Sequence, residues 1–118
     1  ISSAASRTGL PGRAPYAAAK AGVNNLTRTL AAEWGRHGIH VNGLAPGFIK
    51  TKLSAEAGSK SDEEIEDRTP LGRWGSLEEM AHCATFLAAG DHFISGEIIH
   101  ADGGWATNLW GTDNQFSE

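Results

Sequence analysis

A helical segment, a glycine stop and a strand-like segment follow one another without a gap, and this succession constrains the fold more than any other feature. Apolar residues recur close to every 3.6 positions from about 16 to 36, and Gly38 suits a helix end. Residues 39–45 alternate in polarity and are closed by Pro46-Gly47, which predicts a strand. This order of elements predicts an α/β fold with a parallel sheet. The recurring apolar helix positions are Ala17, Ala21, Leu26, Leu30 and Ala31.

The segments on either side extend the same order of elements. Ser76, followed by Glu79 three residues later, matches a capping box and predicts a helix over residues 77–89 that ends at Gly90. The order strand end, helix, strand, helix, strand predicts half of a Rossmann-like doubly wound parallel sheet, with at least one edge unpaired. The other predicted elements are a strand end at residues 1–3, a loop at 4–15, a short acidic helix opening at 61–64 and a strand over 96–101. Met80, Cys83, Ala84 and Leu87 share one face of the second helix.

Length and composition exclude several classes of protein. A chain of 118 residues suffices for one domain, and the formal net charge of −4 comes without a basic array for nucleic acid. One cysteine, Cys83, excludes an internal disulfide, and its apolar helical setting favours a buried, inert thiol over a reactive one. No stretch is long and apolar enough to span a membrane, and the histidines lack metal-ligand spacing. Because the chain opens on a strand end, we expect a fragment of a longer protein.

Tyr16 and Lys20 form the pair with the clearest chemical meaning. Side chains four apart on a helix share a face. A phenol with a pKa of about 10 is a poor proton acceptor at neutral pH, and a nearby ammonium stabilises the phenolate. The pair can therefore exchange a proton with a substrate oxygen, although most such pairs are two residues on a half-exposed helix. Ser3 and residues 46–51 converge with the pair on the carboxyl edge of the predicted sheet, an arrangement that suits hydride transfer between a nicotinamide and a secondary alcohol or ketone.

The order and spacing of these motifs resemble the C-terminal half of the short-chain dehydrogenase/reductase family. The matching segments are Ile1-Ser2-Ser3, Tyr16-x-x-x-Lys20, residues 41–51, Pro70-Leu71-Gly72-Arg73, Phe86-Leu87-Ala88, Ser95-Gly96-Glu97 and Asp102-Gly103-Gly104. The resemblance implies an NAD(P)-binding Rossmann-like domain and an oxidoreductase that acts on secondary alcohols or ketones. It also implies a homodimer or homotetramer formed through the first helix and residues 77–101. The single cysteine and the lack of a recognisable signal segment favour a cytoplasmic location.

The resemblance assigns roles to particular residues. The family's catalytic serine lies thirteen residues before its tyrosine, which selects Ser3 over Ser2; strand-end packing or a backbone hydrogen bond is the alternative role of the neighbouring serine. Tyr16 is then the general acid/base, and Lys20 tunes it and holds the nicotinamide ribose. The cofactor-binding loop is implied to use Pro46, Gly47, Ile49 through its backbone, and Thr51 through its hydroxyl. A loop-capping hydroxyl is the alternative for Thr51, and Asn42 matches a structural strand position.

Departures from the family pattern are equally informative. The glycine-rich turn that holds adenosine and pyrophosphate is absent from these residues, as is the residue that separates NAD from NADP. We therefore expect dinucleotide binding and turnover to fail in the isolated chain. A non-catalytic half-domain that acts as an assembly element is the alternative function, whereas a binding module for phosphorylated ligands would need a phosphate loop that is missing.

The implied substrate stays open between two groups of family members. Some motifs look like enzymes of sugar acids and polyols, such as gluconate 5-dehydrogenases, and others look like 3-oxoacyl carrier-protein reductases. The cations expected to meet a substrate carboxylate are Lys50, Lys52, Lys60 and Arg68, and solvated side chains are the alternative for them.

Overall fold

The computed structural model describes residues 1–52, 54 and 61–107. Within them the helices are α1 (Ala14–Trp34), α2 (Asp62–Arg68) and α3 (Leu77–Ala89), and the strands are β1 (Gly43–Pro46) and β2 (Ile98–Ala101). Short 3-10 turns cover Ala4–Ser6, Gly35–His37 and Trp105–Thr107. Lys60, one of the predicted carboxylate ligands, lies outside the described residues. Among the helices that are described, none is long and apolar enough to cross a membrane.

The two strands form a parallel sheet, which confirms the predicted fold class. β1 pairs with β2 in register from Gly43 opposite Ile98 to Pro46 opposite Ala101. On the other side of β1, the Ser2 N–H donates to the Leu44 carbonyl at 2.7 Å, although residues 1–3 are not assigned as a strand. The predicted strand end is therefore joined to β1 by one backbone hydrogen bond.

Both strands are shorter than the sequence predicts, and side chains share the hydrogen bonding with the backbone at their beginnings. β1 starts four residues after the predicted position 39, and β2 two residues after 96. Ahead of them, the Ser95 hydroxyl accepts from the Val41 N–H at 3.2 Å. The Asn42 side chain donates to the Ile94 carbonyl at 2.9 Å and accepts from the Glu97 N–H at 3.1 Å. Asn42 thus has a structural role in linking the two strand entries.

α1 begins two residues before the predicted start, with a proline in its first turn, and ends through the Gly35–His37 turn at Gly38, whose φ is 74°. Its inner face is polar, because the buried residues are Asn24, Thr27 and Ala31. Leu26 is 55% exposed, since at 3.6 residues per turn it lies about 200° around the helix from Asn24. Among the apolar positions that set the helical period, only Ala31 is buried.

α3 matches its predicted bounds, and its capping box and the left-handed Gly90 at its end are both present. The predicted inner face is covered only in part: Met80, Cys83 and Leu87 are half-buried, and Ala84 is exposed. The thiol of Cys83 is free, and the prediction that it is buried was wrong, because the cavity beside α3 leaves it partly open. The acidic helix opened by Ser61 is also present as α2.

The core is small, and most of it lies where the first residues, α1 and the two strands meet. The Ala4–Ser6 turn packs against both α1 and β1. The buried apolar residues are Ala4, Ala5, Ala31, Leu44, Ala45, Ile65 and Ile98. Most of these side chains are short. At the carboxyl end of β1, where the predicted cofactor loop begins, the backbone of Gly47 lies close to that of Asp102.

Candidate active site

α1 places Tyr16 and Lys20 one turn apart on a single face. The Lys20 Nζ atom lies 5.9 Å from the centroid of the Tyr16 ring. The tyrosine side chain is 45% exposed, so its hydroxyl can be reached from solvent. The geometry of the pair therefore agrees with the spacing argument.

Residues 1–3 are fastened along the same face of α1. The Lys20 Nζ atom donates to the Ile1 carbonyl at 3.1 Å. The Ser2 hydroxyl donates to the Lys20 carbonyl at 3.2 Å, and the Ser2 N–H is bonded to Leu44 of β1. With only 3% of its surface exposed, Ser2 has the buried packing role foreseen as its alternative. A lysine ammonium has three protons, so the contact with Ile1 leaves others available to a ligand.

Ser3 differs from its neighbour in burial and in its hydrogen bonds. It is half-buried, extended (φ −160°, ψ 153°), and it caps the Ala4–Ser6 turn because its hydroxyl oxygen accepts from the Ala5 N–H at 3.2 Å. That bond uses the oxygen and not the proton. Of the adjacent serines, Ser3 is therefore the one whose O–H remains able to donate to a bound oxygen.

Two residues that sequence reasoning missed hold this turn. The Asn24 amide nitrogen donates to the Ser6 hydroxyl at 2.7 Å. The Ser6 hydroxyl donates in turn to the Ser3 carbonyl at 2.6 Å. The available sequence signal was the spacing, since Asn24 follows Lys20 by four residues and so continues the same face of α1.

The first residue of the loop after β1 is hydrogen-bonded to the last residue of β2. The Gly47 N–H donates to the Ala101 carbonyl at 3.1 Å. A Cβ atom on Gly47 would lie 2.7 Å from the Cα atom of Asp102, so this approach requires glycine. Asp102 is itself 9% exposed, and its carboxylate accepts the N–H groups of Gly104 and Ala106, each at 3.0 Å. The Asp-Gly-Gly sequence thus forms a turn that leads the chain back toward the Ala4–Ser6 turn.

Further along the loop, Ile49 pairs with Gly75 in an isolated parallel bridge. The two hydrogen bonds of the bridge use the Phe48 carbonyl (2.9 Å) and the Lys50 N–H (3.1 Å), not the groups of Ile49 itself. The Thr51 hydroxyl oxygen accepts from the Ser54 N–H at 3.0 Å, which is the loop-capping arrangement named as its alternative role. Its proton is not used in that bond, so a cofactor role for Thr51 stays a prediction.

Two cations in and after the loop are already paired within the protein. Lys50 contacts Asp62 at 2.8 Å, and this hydrogen bond raises the pKa of the Lys50 ammonium. Arg68 lies 3.4 Å from Glu64. Two of the cations predicted to meet a substrate carboxylate therefore pair with carboxylates of α2.

A cavity of about 320 Å³ lies behind the loop and includes none of Ser3, Tyr16 and Lys20. Its rim carries the ion pair of Arg73 with Glu79, at 2.7 and 3.0 Å. The hydrogen bonds from Arg73, with that from the Ser76 N–H, lower the pKa of Glu79 to about 2.

Comparison with known proteins gives a consistent result. A family model described as enoyl-(acyl carrier protein) reductase matches residues 1–106. A gluconate 5-dehydrogenase from Gluconobacter oxydans is 43% identical over 114 residues, covering 92% of this chain and 44% of its own length. The structure of a gluconate 5-dehydrogenase from Burkholderia cenocepacia, in complex with NADP and tartrate, matches with a TM-score of 0.81 and 38% identity, over 92% of this chain and 44% of that protein.

A third match is named for a different reaction. The structure of a 3-oxoacyl-[acyl-carrier protein] reductase from Brucella melitensis, in complex with NAD, matches with a TM-score of 0.83 and 35% identity, over 91% of this chain and 43% of that protein. The chain thus spans less than half the length of each of these three relatives.

Proposed function

Because the chain belongs to the short-chain dehydrogenase/reductase family, we propose that it supplies the acid–base side of an oxidoreductase that transfers a hydride between NAD(P)(H) and a secondary alcohol or ketone. One observation carries this proposal. Tyr16 and Lys20 share a helix face along which residues 1–3 are fastened, so that Ser3 is held beside the helix that bears the pair. These are the three side chains that such a reaction needs at its oxygen.

In the proposed mechanism, Tyr16 is the general acid/base and exchanges a proton with the substrate oxygen. The Lys20 ammonium stabilises the phenolate form through its charge, at 5.9 Å from the ring. Ser3 donates its unused hydroxyl proton to the same oxygen and so orients the substrate. The nicotinamide, when bound, supplies or accepts the hydride.

We assign the cofactor-binding role to Pro46, Gly47, Ile49 and Thr51, together with Tyr16 and Lys20. Support comes from the position of the loop at the carboxyl end of a parallel strand, where ligands of such sheets bind. The Ile49 backbone groups, which the bridge to Gly75 does not use, fit a cofactor that is held through the main chain. NADP or NAD is the proposed cofactor, since the related structures named above are complexes with one or the other.

We further propose that residues 1–118 form part of an NAD(P)-binding domain whose nucleotide-binding half is not contained in them. The glycine-rich turn for adenosine and pyrophosphate does not occur in this sequence. Dinucleotide binding and turnover are therefore expected to fail in the 118 residues alone.

The proposed substrate is a sugar acid, a polyol or a 3-oxoacyl compound. Relatives named for gluconate and for 3-oxoacyl carrier protein both match over about nine-tenths of the chain. Among the cations near the loop, Lys52 is exposed, whereas Lys50 and Arg68 pair with acids of α2. A substrate carboxylate would have to compete with these pairs.

Self-association as a homodimer or homotetramer is part of the proposal, as is a cytoplasmic location. Large apolar side chains remain exposed on both long helices: Leu26 and Trp34 on α1, and Leu77 and Phe86 on α3, each at least 41% exposed. Faces of this kind are commonly covered by another chain. The same observation supports the alternative function, a non-catalytic assembly element.

Turnover of NADH and NADPH by the protein expressed from its own gene separates the two functions. Sodium gluconate serves as the alcohol and acetoacetyl-coenzyme A as the ketone, and fluorescence titration measures dinucleotide binding. We expect Tyr16→Phe to lower turnover about 10²- to 10⁴-fold, far more than it weakens dinucleotide binding.

Ser3→Ala and Ser2→Ala are a matched pair of neighbouring variants. The first should lower turnover, and the second should lower thermal stability instead, because Ser2 is buried and bonded to Lys20. Full activity of Tyr16→Phe would overturn the proposed site. A folded protein that self-associates without turning over any of these substrates would favour the assembly element.

A further inference from the structure

We propose that Asn24 and Ser6 are positioning residues that fix Ser3 against the Tyr16–Lys20 pair, an inference that rests on the proposed function. Two short hydrogen bonds run in series from α1 to the Ser3 peptide, at 2.7 Å from Asn24 to Ser6 and at 2.6 Å from Ser6 to the Ser3 carbonyl. The helix that carries the acid–base pair thereby also sets the location of the serine.

The directions of both hydrogen bonds follow from simple chemistry. A serine hydroxyl has one proton, and at Ser6 it goes to the Ser3 carbonyl, which can only accept. The Ser6 oxygen must therefore accept from its other neighbour, and only the amide nitrogen of Asn24 can donate there. An aspartate at position 24 would have no proton to give, so the requirement is for a hydrogen-bond donor rather than for any polar side chain.

The position of Asn24 makes this connection stiff. It is 6% exposed and lies one turn beyond Lys20, so its side chain is held by the packing around α1 rather than free in solvent. The Ser3 carbonyl receives a second bond from the Ser6 N–H at 3.0 Å. With both bonds in place, the Ser3 peptide is fixed at its carbonyl, and the hydroxyl that would contact substrate stands on that same residue.

Burial alone does not account for this arrangement, as Thr27 demonstrates. Thr27 lies on the same stripe of α1 and is 7% exposed, but its hydroxyl bonds the Val23 carbonyl of its own helix at 2.8 Å. Of the two buried polar residues of α1, one satisfies its own helix and the other reaches the turn that follows Ser3. The second is the contact expected of a positioning residue.

Asn24→Leu, Ser6→Ala and their combination, compared with Thr27→Val, test the inference in the protein expressed from its own gene. We expect kcat to fall about ten- to a hundredfold in Asn24→Leu with KM for the dinucleotide unchanged, since misplacement of a reacting group by about 1 Å costs that much. The kcat of Ser6→Ala should fall by a similar factor. The kcat of the double variant should fall no further than that of either single variant, because both residues serve one connection. Thr27→Val should lower the melting temperature but not kcat.

Amide hydrogen exchange gives a readout that does not depend on turnover. In Asn24→Leu the Ser6 and Arg7 N–H groups, which bond to Ser3 and Ala4, should exchange faster than in the unaltered protein, and in Thr27→Val they should not. Unchanged kcat in a folded Asn24→Leu, or equal effects of Asn24→Leu and Thr27→Val on kcat, would overturn the inference. Activity retained by Tyr16→Phe would instead overturn the proposed function, so the two failures are distinguishable.

Discussion

The two long helices of the structure are held in place by different kinds of contact. α1 has no side-chain hydrogen bond at its N-cap, yet it buries polar residues and bonds to Ile1, Ser2 and Ser6 far away in sequence. α3 has a complete capping box, an ion pair beside its first turn and a left-handed glycine at its end, yet none of its residues is buried.

This difference teaches which parts of the molecule have to be precise. The start of α3 is fixed by its neighbours in sequence, so its bounds follow from local rules. The position of α1 relative to residues 1–6 depends on contacts that no local rule contains, and the proposed chemistry lies at those contacts. Substitutions should therefore affect turnover when they touch the α1 residues that bond to residues 1–6, and only stability when they touch the start of α3.

The largest effect is expected from Lys20→Met. This change removes the charge near the Tyr16 ring and the bond to the Ile1 carbonyl. Turnover should fall about 10²- to 10⁴-fold, the usual contribution of acid–base catalysis, in steady-state assays with NADH and NADPH. Arg28→Met is the matched control, because it removes an exposed cation two turns further along α1. Equal losses in both variants would indicate a general effect of charge rather than a site.

The next largest effect is expected from Gly47→Ala, and it should appear in the free energy of unfolding. A Cβ atom there would meet the backbone of Asp102 at 2.7 Å, which cannot move without shifting the entry of the Asp-Gly-Gly turn. We expect a loss of about 1–3 kcal/mol or more in the free energy of unfolding, measured by urea denaturation. At Gly43 the corresponding atom would meet the tip of the Ile98 side chain, also at 2.7 Å, and that tip can rotate away. Gly43→Ala should therefore cost less, and the reverse order would contradict the structure.

The sequence was sufficient to predict the elements that local chemistry defines. The capping box at Ser76, the stop at Gly90 and the acidic opening of α2 at Ser61 are all present. The shared face of Tyr16 and Lys20 also followed from spacing alone, because helix geometry determines which residues are adjacent.

What the sequence could not predict depends on pairs of residues distant in the chain. The inner face of α1 passes through Asn24 and Thr27, and a search for apolar periodicity overlooks polar residues. The hydrogen bonds of Ser95 and Asn42 ahead of the strands join residues more than fifty positions apart. The ion pair of Lys50 with Asp62 could not be predicted either, because it depends on the position of α2 in the fold.

A smaller effect is expected at the start of α3. The Ser76 hydroxyl accepts from the Glu79 N–H at 3.2 Å. Ser76→Ala removes that acceptor and should cost about 1 kcal/mol of unfolding free energy, whereas Ser76→Gly should cost only a few tenths. Thermal and urea unfolding measure the difference. Neither variant should change kcat, and a loss of turnover in either would mean that α3 is coupled to the site.

The smallest expected effect is the pH dependence of stability that comes from the Glu79 carboxylate. Its pKa in the folded protein is about 2, below the ordinary value of 4.5, chiefly because Arg73 hydrogen-bonds its charged form. Since the folded pKa is the lower one, the carboxylate contributes its full stability above about pH 4.5, and the contribution is lost as the pH falls toward 2. The pair is solvent-exposed, so the effect should be modest and weaken with added salt.

Urea unfolding of the unaltered protein and of Glu79→Gln between pH 7 and pH 2 checks this sign. The difference between the two should be constant near neutrality and shrink as acid protonates the native carboxylate. Glu78→Gln is the control, since Glu78 makes no ion pair in the described part of the chain and removing its carboxylate should not reproduce the acid-dependent difference. A difference that does not change with pH would mean that Arg73 and Glu79 remain solvated apart, and α3 would then depend on its cap alone.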